Sequence, residues 1–102
     1  MTKIVVLFNL LSDASVSAYE DWARQTDLPT VNKLGSVQQF EVFRATGTLA
    51  GDPAPYQYIE IIDVASVDAL LEDAGTDLMQ KVAAEFQAFA DNPTFILTEN
   101  IA

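Results

Sequence analysis

Near the start of the chain, the run KIVVLFNLL (residues 3–11) is apolar except for Lys3 and Asn9, and it is β-branched in its first half. A short run of this kind predicts a strand covered on both faces. It is too short to span a bilayer and lacks the flanks of a cleavable signal peptide. A strand that needs cover on both sides requires the rest of the chain to supply one layer, and something else to supply the other.

The remaining patterns give the order of elements. In SDASVSAYEDWARQ, Ser17 and Glu20 have the spacing of a capping box, and Tyr19, Trp22 and Ala23 recur at helical spacing, so a helix is expected from about Ser17. Pro29 is expected to end or kink it. A second strand is expected in SVQQFEVFRATGTL (residues 36–49), GDPAP reads as a loop, and YQYIEIIDV (residues 56–64) reads as a third strand paired antiparallel to the second. Ser66 is a plausible cap for VDALLEDAG, which Gly75 stops, and a further helical run from Asp77 places Leu78, Val82, Phe86 and Phe89 on one face. Extended character returns after Pro93.

The order β-α-β-β-α-β over one 102-residue domain is the ferredoxin-like plan, α+β, with a four-stranded antiparallel sheet and helices on one face. Strands with Val, Phe, Tyr and Ile on both sides leave an apolar face opposite the helices. A second subunit is its simplest cover, and two such sheets packed face to face make a dimeric α/β barrel with an isologous interface. A homodimer is therefore expected.

Charge and residue usage narrow the chemistry. The chain carries 15 acids against 5 bases for a formal charge of −10, and the bases are scattered. Nucleic acid and anionic membrane surfaces are excluded as expected partners, because both need a cationic patch. With no cysteine there is no disulfide and no zinc-thiolate site, and with no histidine the usual general base near neutral pH is missing. No metal motif, phosphate loop or nucleophile elbow occurs, so no cofactor is expected. The expected location is the cytoplasm.

The segment AYEDWARQTDLPTVNKLGSVQQFEVFRA, with PYQYIEIIDVAS after it, resembles the RedY-like HapK family, small proteins encoded with prodigiosin-type and bisindole pigment pathways, within the dimeric α/β-barrel superfamily. The resemblance runs over most of the chain. It implies a pocket between helices and sheet in each subunit, holding a small aromatic or apolar molecule. The superfamily includes cofactor-free monooxygenases, polyketide cyclases, lactone isomerases and sugar mutarotases. Many relatives carry histidine in an H-x-P pattern where this chain has Asp27, Leu28 and Pro29, which makes Asp27 the natural substitute.

Candidate residues follow from position. Asp27 is expected near a helix C-terminus, where burial and the macrodipole raise a carboxyl's pKa and suit it to acid or base work; the alternative is a solvated surface acid. Glu41 and Glu60 interrupt apolar strands, and if their faces coincide, Gln39, Glu41, Tyr58 and Glu60 form one polar cluster. Such a cluster would be a ligand site on the helix side or an inter-subunit network on the other. Tyr19 and Trp22 share a helix face and serve either the core or a flat ligand. Asn9 would donate to a substrate carbonyl or start a turn, and Arg44 would hold an anionic group or pair with Glu41 or Glu60. The expected function is carboxylate proton transfer without a cofactor, assisting cyclisation, dehydration or condensation in secondary metabolism. The alternatives are a cofactor-free monooxygenase of an aromatic substrate and a non-catalytic binding or chaperoning module.

Overall fold

The computed structural model describes residues 2–102. Strands β1 (Thr2–Leu10), β2 (Val37–Arg44), β3 (Tyr58–Val64) and β4 (Ala90–Leu97) form one sheet in the order β2-β3-β1-β4, with every neighbouring pair antiparallel. Helical segments α1 (Val16–Trp22), a π turn (Ala23–Asp27) and α2 (Leu28–Asn32) precede β2, while α3 (Val67–Ala74) and α4 (Asp77–Gln87) link β3 to β4. This is the ferredoxin-like arrangement.

β1 is central, yet only one of its faces is covered. Ile4, Val6, Phe8 and Leu10 are buried beneath the helices, whereas Val5 and Leu7 are half-exposed. The expectation of cover on both faces is therefore not met by a single chain. Ladder partners share a face, so the register groups Val5 and Leu7 with Ile59, Ile61, Phe43 and Ile96 on an apolar surface with no helix over it.

Two bulges set which side chains reach the core. β2 gains a residue between Val37 and Gln39, so Val37 and Phe40 both point to the helices while Gln39, Glu41 and Phe43 face away. β4 gains one opposite Leu7–Asn9, where Asn92 takes φ 46° ahead of Pro93. A proline fits this edge strand because the bulge removes the need for its missing N–H. The strand thus starts three residues before Pro93, earlier than the sequence suggests.

The helix caps also correct the sequence reading. Ser15, not Ser17, caps α1 by accepting from the Ala18 amide, which leaves Glu20 free for other partners. Ser66 and Thr76 cap α3 and α4 as short side chains with an oxygen in reach of the first turn should. On α4, Val82 and Phe86 are buried and Met79 packs against the core, Phe89 follows just past the helix end, and Leu78 is exposed. Phe8 lies at the aromatic centre, 5.6 Å from Tyr19, 5.4 Å from Tyr58 and 5.0 Å from Phe86, ring centre to ring centre.

Candidate active site

The helix that begins at α1 runs through Pro29 to Asn32. Pro29 has no N–H to continue the regular ladder, and the turn before it is widened, with the Leu28 amide bonded to the Ala23 carbonyl five residues back. Tyr19, Ala23, Asp27 and Val31 are all buried, a spacing of four. In a regular helix that spacing drifts by about 40° per step; the π turn takes the drift back and keeps Asp27 aimed at the sheet.

Asp27 and Glu60 are 5% and 4% exposed, the two carboxyl groups enclosed in the core. Glu60 stands on β3 between Val6 of β1 and Val42 of β2 in the ladder, on the helix-facing side. The Tyr19 hydroxyl lies 3.5 Å from Glu60 Oε2. Loss of water raises the Asp27 carboxyl to about 7. Burial, and then the nearby Asp27 charge, raise Glu60 to about 8 against the bond from Tyr19. Tyr19 is pushed up by burial and then by Glu60, so it remains a neutral phenol. At neutral pH the pair therefore retains protons that ordinary carboxyl groups have lost.

In front of this pair is a half-open cleft of about 160 Å³, between the first helix and the β2–β3 hairpin, lined by Tyr19, Glu20, Ala23, Arg24, Leu28, Val42, Arg44 and Tyr58. The carboxyl groups of Asp27 and Glu60 are not in its lining; they lie behind the wall to which Tyr19 belongs. At the mouth, Arg44 Nε and one terminal guanidinium nitrogen donate to the two Glu20 oxygens at 2.7 and 2.5 Å. The Tyr58 hydroxyl donates to Glu20 Oε2 at 2.7 Å, and Arg24 donates to Oε1 at 3.2 Å. These donors, Arg44 foremost, hold Glu20 down at about 2. Burial and the bond to Glu20 lift Tyr58 to about 12.

The structure brings Asp27, Glu60 and Tyr19 together, and puts Tyr58 and Arg44 at the cleft. It does not assemble the expected cluster of Gln39, Glu41, Tyr58 and Glu60. The ladder pairs Glu60 with Val42 and Glu41 with Ile61, so Gln39 and Glu41 face away from the helices. Trp22 is outside the lining; its indole N–H donates to Glu85 at 2.9 Å and its ring packs on Phe86 and Phe89. Asn9 accepts from the Gln57 amide at 2.9 Å while Gln57 Oε1 accepts from the Leu10 amide at 2.6 Å, a clip joining β1 to the start of β3. Arg44 pairs with Glu20, not with Glu41 or Glu60. Sequence reasoning misses Glu20 and Arg24: their i,i+4 spacing is the available signal, but the spacing of Glu20 from Ser17 also fits a capping box. No three His, Cys, Asp or Glu side chains converge to hold a metal among the described residues, and no helix there is long and apolar enough to cross a membrane.

Comparison with known proteins gives the geometry a context. The family model described as REDY-like protein HapK matches residues 2–101. The crystal structure of HapK from Hahella chejuensis is 28% identical, covers 99% of this chain and 93% of its own, and superposes with a TM-score of 0.83. The hydroxynitrile lyase of Passiflora edulis, at 14% identity with 99% and 94% coverage, has a TM-score of 0.80. A structure of SnoaB, a cofactor-independent oxygenase from Streptomyces nogalater, reaches 0.78 at 12% identity with 99% and 93% coverage. The last two are similar to this chain in fold. No curated protein sequence matches it.

Proposed function

The chain belongs to the REDY-like HapK family, and on that premise we propose that it binds a small aromatic molecule in the cleft and moves a proton on it through Asp27 and Glu60, without a cofactor. The reaction is a cyclisation, dehydration or condensation in secondary metabolism, and the active form is a homodimer joined through the open sheet face. The observation that carries this reading is the enclosed pair Asp27 and Glu60, whose burial lifts both carboxyl groups well above the usual carboxylate range beside the neutral Tyr19 phenol. A group with its pKa near the working pH is the most effective proton carrier. Tyr19 lines the cleft wall and its hydroxyl lies 3.5 Å from Glu60 Oε2, which supports Tyr19 as the link between the pair and a ligand.

The test is turnover of ring-closable and dehydratable aromatic substrates, followed by mass spectrometry, in the parent chain, D27N and E60Q. Positioned acid-base groups contribute about 10²–10⁴-fold, so either variant is expected to lose at least about a hundredfold. Turnover that survives both substitutions removes the reading.

One alternative has an observation of its own. Neither carboxyl group lines the cleft, as suits a module that binds a reactive intermediate without converting it. Tight binding with no product in any variant identifies that module, and oxygen uptake in the same assay identifies a monooxygenase instead.

A further inference from the structure

The cleft mouth is unusual for so acidic a chain. Two of its five cations, Arg24 and Arg44, stand there together, with side chains 62% and 58% exposed. Four donor contacts meet on the Glu20 carboxylate, from Arg44 twice, from Tyr58 and from Arg24. A carboxylate offers about four lone-pair sites, so this donor set is already complete for one carboxylate, and the Arg44 fork matches it in two-pronged geometry. Behind the donors the walls are apolar or aromatic: Tyr19, Ala23, Leu28, Val42 and Tyr58.

Resting on the reading of this cleft as the ligand site, we propose that it takes an organic anion about the size of one aromatic ring, whose carboxylate replaces Glu20 on the Arg44 guanidinium. Glu20 is the chain's own stand-in for that group. The size follows from the volume. The cleft measures about 160 Å³, while a cavity of about 150 Å³ accommodates benzene and sites for drug-sized ligands start at roughly 300 Å³. The orientation follows from charge. The carboxylate stays at the mouth with the arginines, and the ring points inward past Tyr19 towards the protonated pair.

Glu20 competes from within the chain, at the high effective concentration of a tethered group. Removing it therefore strengthens binding of an anion and leaves two arginines with less neutralisation. A neutral ligand of the same shape gains nothing from that removal.

The experiment titrates benzoate and benzamide into the full chain, E20A and the double variant E20A/R44M, read by calorimetry. Benzoate is expected to bind E20A at least tenfold more tightly than the parent, and to lose that gain in E20A/R44M, while benzamide shows no such gain. The proposal is overturned by benzamide binding E20A as tightly as benzoate, by benzoate affinity that survives R44M, or by no saturable benzoate binding to E20A. Arg44 is exposed, whereas the Glu20 side chain is 12% exposed and accepts from the buried Tyr58, so E20Q, which keeps the volume and an acceptor for Tyr58 while removing the charge, repeats the titration with the same expected gain. The readout is affinity alone, so it separates from the proton-transfer reading: D27N and E60Q report on turnover whichever way the benzoate titration falls.

Discussion

The Tyr19 hydroxyl lies 3.5 Å from Glu60 Oε2, and neither residue is open to water. The Tyr19 ring is held independently by Phe8, Trp22, Tyr58 and Phe89, so Tyr19→Phe removes one oxygen and little packing. It leaves a buried carboxyl without that donor, which costs roughly 1 kcal/mol. Urea unfolding should show a lower midpoint with an unchanged slope; an unchanged midpoint would mean the contact contributes nothing.

Asp27 and Glu60 also predict how stability depends on pH. Their folded values, about 7 and about 8, lie above the ordinary 3.8 and 4.5. Between those limits the folded chain binds protons that the unfolded chain has released. Unfolding free energy therefore falls as pH rises from about 4 to about 8, by up to about 1.4 kcal/mol per pH unit for each proton, and levels off above. The lowered Glu20 carboxyl acts in the opposite sense, but its window lies below that range. Denaturant melts across pH in the parent and in D27N/E60Q check this: the double variant should lose the slope and gain stability at the alkaline end.

Much of the fold was legible because alternation and caps are local signals. The order of elements, the Ser66 cap and the Gly75 break needed only neighbouring residues. What decided the site was not local. The hairpin register pairs Glu41 with Ile61 and Val42 with Glu60, which sets Gln39 and Glu41 on the face opposite Glu60, and alternation within one strand does not report its register against the next. The spacing of Glu20 from Ser17 fits a cap, yet besides Arg24 its partners, Arg44 and Tyr58, are 24 and 38 residues away. Asp27 was found through the resemblance at the x-x-P segment, while the π turn that ends at it left no mark other than Pro29.

That turn makes a prediction of its own. Deleting the exposed Gln25 removes the extra residue and allows a regular helix, in which Tyr19 and Asp27 stand seven positions apart and still share a face to within about 20°. Asp27 therefore stays enclosed and its carboxyl stays raised. Carbon-detected NMR titration of the Asp27 side chain measures this directly, and a value back in the ordinary carboxylate range would show that the π turn itself, not the helix face, encloses it.

Asn9 and Gln57 form two reciprocal bonds between β1 and the start of β3. Asn9→Ala leaves the Gln57 amide without its acceptor, a loss of about 1 kcal/mol expected as an earlier urea midpoint. Gln57→Ala should cost a similar amount through the Leu10 amide. If the two act as one clip, the double variant costs less than the sum of the singles, and strict additivity would mean the two bonds are independent.

The open sheet face supplies the last prediction. Leu7 sits near its middle, beside Ile59 and Thr94 in the ladder, and is half-exposed in the single chain. In an isolated subunit a lysine there extends its stem along the sheet and keeps its charge in water, so Leu7→Lys leaves the fold intact. Against a second sheet the same charge is trapped without a partner, a cost of several kcal/mol, and the pair of subunits separates. Sedimentation equilibrium should therefore find the parent at twice the chain mass and L7K at the single-chain mass, with matching circular dichroism. A parent that sediments as one chain at high concentration leaves Val5, Leu7, Ile59 and Ile61 exposed in solution and overturns the homodimer.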